Sequence, residues 1–166
     1  SFELASRPPD PTVKEVTLTV VVPSNETSGE YSFEITADSL GTSSSMSLSL
    51  TVNAVYQIGI SAIGPTEIES QAGKAEYFQF DVTNLGNTDD EVIITSTGTM
   101  ISQGTPNNFE WTSQVLGSNM SETNYLKATV PQSNDGPWNA VVTVTSVGDP
   151  SITLSLIHIS EPTRRT

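Results

Sequence analysis

The fold is decided by the stretch Val22-Pro23-Ser24-Asn25, with Gly29, Tyr31, Phe33 and Ile35 after it, which the chain repeats about 107 residues later. The second copy reads Val130-Pro131-Gln132-Ser133, with Gly136, Trp138, Ala140 and Val142 after it. The likeness continues from Met46 and Leu48 to Ile152 and Leu154. An internal repeat of this length matches one β-sandwich domain, so the sequence predicts a tandem array of such domains.

Apolar and polar residues alternate along the first copy, as they do in half-buried β-strands. The alternation covers the segments around Phe33 and Leu48, and residues 16–22 form a third predicted strand that is rich in Val and Thr. Residues 39–45, which include a serine run, are predicted to form the turn of a hairpin. No segment has a sustained helical period, so the sequence predicts an all-β fold.

The second unit shows the same alternation over a longer stretch. Its predicted strands are centred on Ile58, Phe80, Val92, Phe109 with Trp111, Leu126, Val142 and Ile152. Turn-forming residues separate them, notably Gly64-Pro65 and Asn84-Leu85-Gly86-Asn87, and residues 104–108 are predicted to be irregular. Short strands at this spacing are typical of a sandwich of antiparallel sheets.

Three pieces of the second unit carry a family pattern. They are Ala72-Gly73-Lys74-Ala75, Phe80-Asp81-Val82-Thr83-Asn84-Leu85-Gly86-Asn87 with Asp90 after it, and Val130-Pro131 before Gly136 and Trp138. The pattern resembles the immunoglobulin-like repeats found beside carbohydrate-binding modules (NPCBM-associated) and in bacterial adhesion-related proteins (CARDB-like). This resemblance implies immunoglobulin-like β-sandwiches. The chain departs from the pattern at Trp138, where Tyr is usual. Tyr31 and Trp138 occupy the place where a sandwich has an aromatic corner residue.

The repeat and the resemblance divide the chain into three parts. Residues 1–54 correspond only to the C-terminal half of a β-sandwich repeat, and residues 55–153 correspond to a nearly complete one. Leu154 to Arg164 resemble, letter for letter, the translation of the transposase adapter used in sequencing libraries. We therefore expect residues 154–166 to be a non-native tail that can mimic a last strand, and the authentic sequence to stop near Thr153.

The composition limits the range of partners. The net charge is −13, from 6 Lys and Arg against 19 Asp and Glu. Such a surface repels phosphate backbones and anionic lipid headgroups, so the sequence predicts no nucleic-acid binding and no direct membrane contact. Cysteine is absent. A sandwich of about 100 residues buries a core without disulfides, and their absence favours a prokaryotic source.

The sequence offers no catalytic constellation. The one histidine, His158, lies in the tail, and without cysteine neither a Ser/His/Asp nor a Cys/His arrangement can form. Lys14, Lys74 and Lys127 lack the sequence context of a Ser-Lys pair, and the ligands of zinc are missing. We therefore predict that the chain is not an enzyme and has no catalytic, cofactor-binding or metal-binding residue and no cofactor.

A few features leave a ligand or a modification open. Asp89, Asp90 and Glu91 follow a turn and carry oxygen ligands that suit calcium, and the alternative is a solvated acidic turn. Trp111 is either a sugar-stacking platform or, as we favour, a core residue. Two N-glycosylation sequons lie in predicted loops or at strand edges, Asn25-Glu26-Thr27 and Asn119-Met120-Ser121.

These observations favour a non-catalytic fragment of a large prokaryotic secreted or cell-surface protein, in which immunoglobulin-like repeats act as a spacer, stalk or adhesion module. A short linker at Asn53-Ala54-Val55 is predicted to limit bending between the units. Neighbouring repeats are the expected partners, with surface glycans or proteins as further candidates. Two alternatives stay open: accessory domains of a secreted glycosidase or peptidase whose catalytic domain lies elsewhere, or a carbohydrate- or calcium-binding module.

Overall fold

Strands make up almost all of the regular structure. The computed structural model describes residues 15–39, 41–102, 108–132 and 136–162. The strands are β1 Gly29–Ser39, β2 Thr42–Val52, β3 Ile58–Ile63, β4 Glu67–Ser70, β5 Ala75–Asn84, β6 Asp90–Thr97, β7 Asn108–Phe109, β8 Ser113–Leu116, β9 Ser121–Thr129, β10 Trp138–Ser146 and β11 Thr153–Pro162. A single helical turn, α1 (Thr99–Ser102), follows β6. The prediction of an all-β chain is confirmed.

The first unit is a two-stranded antiparallel hairpin. β1 pairs with β2 in one continuous register, from Gly29 opposite Val52 to Ser39 opposite Thr42. Gly41 has a φ of +82°, a left-handed conformation that glycine adopts without steric cost and that tight hairpin turns need. The chain has therefore reversed by Thr42, which pairs with Ser39.

Two predictions for this unit are wrong. Residues 16–22 belong to no strand, and Val16 and Val21 are 87% and 83% exposed. The reason is that β-propensity yields a strand only where a neighbouring strand supplies hydrogen-bond partners and packing. The serine run at 43–45 lies inside β2 and not at the hairpin tip, because the chain already reverses at Gly41.

The second unit is a sandwich of two sheets. One sheet has five strands in the order β4-β11-β10-β6-β8, and the other has four in the order β3-β5-β9-β7. Neighbouring strands are antiparallel except β4 and β11, which run parallel. The chain therefore crosses between the sheets several times, as it does in Greek-key sandwiches.

The two sheets bury one continuous core between them. Its fully enclosed apolar side chains include Phe78, Phe80, Val82, Val92, Ile94, Leu126, Ala128, Trp138, Val142 and Val144. Each of the larger ones contributes about 1.5–3 kcal/mol by leaving water. The alternation predicted along β5, β6, β9 and β10 is confirmed, because every second residue is buried throughout β6 and β10, from Phe78 onward in β5 and from Asn124 onward in β9.

Short edge strands were the part of the sandwich that periodicity missed. β4 and β8 each have four residues, of which two in β4 and three in β8 are exposed, so they carry almost no apolar alternation. The predicted strand at Phe109 and Trp111 is shorter than expected, since β7 ends at Phe109. The predicted irregular passage at 104–108 lies outside the described residues except for its last position.

The strand registers correct the internal alignment. Phe33 faces Leu48 in the first hairpin, and its equivalent in the second, Ala140, faces His158. Leu48 therefore corresponds to His158 and not, as the sequence comparison predicts, to Leu154. The cause is the length of the turn. In the first hairpin Ser39 pairs with Thr42, so two residues lie between them. In the second, the equivalent residue Ser146 bonds Ile152, so five residues lie between them. The second copy is therefore offset by three more residues after the turn.

Candidate functional site

The linker between the two units consists of residues 53–57, which join β2 to β3. It lies along the turn that follows β5. The backbone N–H of Leu85 donates to the carbonyl of Gln57 at 2.7 Å, and that of Asn87 donates to the carbonyl of Val55 at 3.1 Å. These two bonds hold the carbonyls of Val55 and Gln57, two residues apart in the chain, against residues 84–87. The linker is therefore packed against the second unit and is not a free tether.

Asn87 is the residue that makes most of these connections. Its side-chain Oδ1 accepts from the N–H of Val55 at 2.7 Å, and its Nδ2 donates to the carbonyl of Asn53 at 3.1 Å. Its own carbonyl accepts from the N–H of Ser28, just before β1, at 2.9 Å. One side chain thus holds the linker on both sides of Ala54, and its backbone holds the start of the hairpin.

A second contact holds the linker at the β10–β11 turn. The ring of Tyr56 packs on Gly148, where an added Cβ would lie 2.0 Å from the nearest ring carbon. The N–H of Gly148 donates to Oδ1 of Asp90 at 3.0 Å. In the same turn Ser151 donates through its hydroxyl and its N–H to Asp149, and these bonds lower the pKa of that exposed carboxyl. Two turns of the sandwich therefore support the linker.

Asn84 organises the turn from inside the core. It is fully buried; its Oδ1 accepts from the N–H of Gly86 at 2.9 Å, and its Nδ2 donates to the carbonyls of Thr88 at 2.7 Å and Leu116 at 2.9 Å. The local bond to Gly86 confirms the prediction that Asn84 bonds its neighbouring backbone. The bond to Leu116, which joins the two sheets, could not be read from sequence because it spans 32 residues.

The aromatic corner predicted at Tyr31 is present. Its hydroxyl lies 2.7 Å from a carboxylate oxygen of Glu26 and 2.8 Å from the carbonyl of Thr27, four residues upstream. Trp138, at the equivalent place in the second unit, is buried in the core. Trp111 is partly buried and packs against the core, and its indole N–H donates to the carbonyl of Thr123 at 3.4 Å, which confirms the core interpretation.

The acidic residues after the turn do not converge. Asp90 is buried, whereas Asp89 and Glu91 are exposed, because successive residues of a strand face opposite ways. Glu91 accepts a hydrogen bond from Ser113. Within residues 15–39, 41–102, 108–132 and 136–162, no three His, Cys, Asp or Glu side chains are placed to share a metal ion.

Neither of the two described lysines, Lys74 and Lys127, is placed as the general base of a Ser-Lys pair. Lys74 forms an ion pair with Glu76 at 3.0 Å, and Lys127 lies 5.7 Å from the centre of the Tyr77 ring. Burial raises the pKa of Glu76, but hydrogen bonds from Ser70 and Lys74 and the charge of Lys74 outweigh it, so the net pKa is lowered. Lys14 lies outside the described residues.

Both sequons lie on exposed turns. Asn25 is in the turn before β1, and Asn119 is in the turn before β9 with a φ of +59°. The Nδ2 of Asn119 donates to the hydroxyl of Ser118 at 3.0 Å. Ser118 and the sequon residue Thr27 line one polar cavity of about 240 Å³ at the junction, so the two sequons flank it.

His158 is the one buried imidazole. It is 1% exposed, its ring centre lies 4.5 Å from that of Phe78, and neither ring nitrogen has a hydrogen-bond partner among the described residues. Burial lowers its pKa below the ordinary value of 6.5. A neutral, enclosed imidazole of this kind is unable to reach a substrate, so it offers no catalytic base.

Acidification from pH 7 towards pH 5 is expected to destabilise the second unit through His158. In the unfolded chain the imidazole has its ordinary pKa, whereas in the fold the pKa is lower, so the unfolded state binds the proton more readily. The stability contribution is therefore fully present above about pH 6.5 and is lost as the pH falls below it.

Among the described residues, the groups around His158 provide no compensating charge. The inward residues of β10 nearest to it, Trp138, Ala140 and Val142, are apolar, and the titratable residue on the inward side of β5, Glu76, already bonds Ser70 and Lys74. On β4, Glu67 and Glu69 are exposed. Thermal melts of the chain and of His158→Leu between pH 7 and pH 5 test the prediction. An equal decline in both proteins would contradict it.

The two packed sheets and the parallel pairing of β4 with β11 define the second unit as an immunoglobulin-like β-sandwich. No helix in the described part of the chain is long and apolar enough to cross a membrane. No family model and no curated protein matches the chain, so the resemblance to the NPCBM-associated and CARDB-like repeats stays a prediction.

The solved structures to which this chain is similar include three from different proteins. A family 123 glycoside hydrolase from Clostridium perfringens aligns with a TM-score of 0.52 and 10% identity over 66% of this chain and 28% of the hydrolase. The ASH/PapD-like domain 7 of human CEP192 aligns with a TM-score of 0.45 and 13% identity, over 66% of this chain and 87% of that domain's chain. A chain of the CsuC–CsuE chaperone–tip adhesion subunit complex of Acinetobacter baumannii aligns with a TM-score of 0.41 and 13% identity, over 65% of this chain and 57% of the other. At these identities the likeness concerns the fold alone.

Proposed function

We propose that the chain is a non-catalytic piece of a large prokaryotic secreted or cell-surface protein, in which immunoglobulin-like units are stacked as a spacer or adhesive stalk. The observation that carries the proposal is the linker held by Asn87. A stalk must transmit orientation from one unit to the next, and a linker bonded at Asn53 and Val55 restricts that orientation. Free tethers between domains lack such bonds.

The first unit supports the stacked arrangement. Its hairpin corresponds to β10–β11 apart from a turn that is three residues shorter, and in the second unit that hairpin is covered by the opposite sheet. In the first unit Tyr31, Phe33 and Leu50 line an apolar cavity of about 170 Å³. We propose that the hairpin is the C-terminal half of a preceding sandwich, whose other strands cover this face.

The surface chemistry fits a structural role better than a binding role. The net charge of −13 keeps stacked units from clumping, and it suits an extracellular or cell-surface setting. The residues considered for sugar and calcium are engaged elsewhere, since Trp111 packs on the core and Asp90 holds Gly148. The accessory role beside a secreted hydrolase has no specific observation in its favour.

Replacing Asn87 by Ala is expected to loosen the junction while leaving each unit folded. The substitution removes two hydrogen bonds to the linker, which are worth about 1 kcal/mol each, and retains the backbone bonds of residue 87. Amide exchange at Val55 is expected to be about tenfold faster. Small-angle scattering is expected to show an ensemble with a broader range of maximum dimensions, because the two units sample more orientations.

Asn119→Gly is the matched control for this experiment. It also removes an exposed amide from a turn, and glycine accepts the positive φ, but among the described residues the side chain bonds only the neighbouring Ser118. Exchange at Val55 is expected to stay unchanged in this variant. The stalk proposal fails if Asn87→Ala leaves both the exchange rate and the scattering profile as they are in the original chain.

A further inference from the structure

The last strand of the sandwich has inverted polarity over its second half. His158 and Ser160 are 1% and 0% exposed and face the core, whereas Ile157 and Ile159 are 53% and 37% exposed on the outer side. A strand that packs one face on a core places its apolar residues inward. The inversion starts after Leu156, which still packs against the core.

The inverted residues also leave polar atoms unsatisfied. Four buried side-chain atoms have no hydrogen-bond partner in the described part of the chain, and three of them are Nδ1 and Nε2 of His158 and Oγ of Ser160. Protein interiors pair nearly all of their buried polar atoms. Such a concentration of exceptions in two residues of one strand indicates a sequence that was not selected with this core.

In the first hairpin, β2 is the counterpart of β11, and it shows which residues the first repeat has at the same positions. Leu48 faces Phe33 as His158 faces Ala140, and Leu50 faces Tyr31 as Ser160 faces Trp138. The intervening outward positions, which are isoleucines in β11, are Ser47 and Ser49 in β2, and both are exposed. The repeat therefore has apolar residues inward and serines outward where β11 has the reverse.

We infer that residues 157–160 are not the sequence with which this sandwich evolved, and that the slot between β10 and β4 is built for a strand of the same polypeptide that reads as β2 does. Such a strand has leucine-like side chains at 158 and 160 and serine-like side chains at 157 and 159. Registers and burial carry the inference on their own, and they point to the same residues as the adapter resemblance of Leu154 to Arg164.

Replacing both inward residues, His158 and Ser160, tests the inference directly. In the full chain, His158→Leu with Ser160→Leu is expected to raise the melting temperature by at least about 5 °C, because two buried polar side chains are replaced by the residues of β2. A second pair, His158→Leu with Ser160→Val, covers the case in which leucine overfills position 160. The inference is overturned if both pairs melt at or below the temperature of the original chain.

The outward pair is the matched control. Ile157→Ser with Ile159→Ser changes the same strand by the same number of residues but touches only its exposed face. Its melting temperature is expected to stay within about 3 °C of the original, with weaker binding of a hydrophobic dye. A loss larger than that would show that the isoleucines are required in this strand, and it would count against the inference.

Discussion

Asn84→Ala is expected to lower the free energy of unfolding of the second unit by about 3 kcal/mol. The side chain is fully buried, and it serves one N–H and two carbonyls, those of Gly86, Thr88 and Leu116. Alanine leaves these backbone groups enclosed without a partner, and each such group costs about 1–3 kcal/mol. Water entering the space left by the amide offsets part of this cost.

Chemical denaturation followed by tryptophan fluorescence measures this effect. Both tryptophans, Trp111 and Trp138, belong to the second unit, so the signal reports on that unit. Thr83→Ala is the control in the adjacent position, since within the described part of the chain the hydroxyl of Thr83 bonds only that of Ser121, at a site near the surface. We expect that control to lose less than about 1 kcal/mol. A loss of that size for Asn84→Ala would show that its bonds are dispensable.

The sequence was most informative where one residue and its near neighbours decide the outcome. Phe78, Phe80 and Val82 alternate with polar residues, and this period alone places them on the buried side of β5. The turn after β5 follows from the local bond between Asn84 and Gly86. The corner at Tyr31 also depends on residues only four and five positions away.

The sequence was least informative where the partner is distant in the chain. Asn87 bonds Asn53 and Val55, which precede it by more than 30 residues, and nothing in its own surroundings indicates that choice. The edge strands β4 and β8 exist because β11 and β6 offer free edges, and not because of their own residues. The alignment of Leu48 with Leu154 failed for a similar reason, since a turn length changes register without altering the alternation.

Gly86 is where the local turn and the distant linker meet. It is buried, and a Cβ on it would lie 2.3 Å from the carbonyl oxygen of Val55 and 3.2 Å from the backbone nitrogen of Gln57. Both neighbours are backbone atoms of the linker, so no side-chain rotation relieves the contact. Only glycine allows the linker to lie against this turn.

Gly86→Ala is therefore expected to displace the linker from the second unit. The displacement breaks the bonds from Leu85 to Gln57 and between Asn87 and Val55, and the combined loss of packing and hydrogen bonds is about 3 kcal/mol. Hydrogen exchange at the amides of Leu85, Asn87 and Val55 is expected to become at least about 100-fold faster. The amides of the core strand β9 are expected to lose less protection, because they do not contact the linker.

Gly117→Ala separates this effect from a general cost of adding a methyl group near the junction. Its Cβ would meet only side-chain atoms, at 3.2 Å from Met120 and 3.7 Å from Asp89, and both can move aside. Exchange at Val55 is expected to be the same in this variant as in the original chain, with a stability change within about 0.5 kcal/mol. If Gly86→Ala also keeps Val55 protected, the linker is not held by the turn. A rigid junction would then have to come from the Tyr56 contact with Gly148 and from the bond between Ser28 and the carbonyl of Asn87.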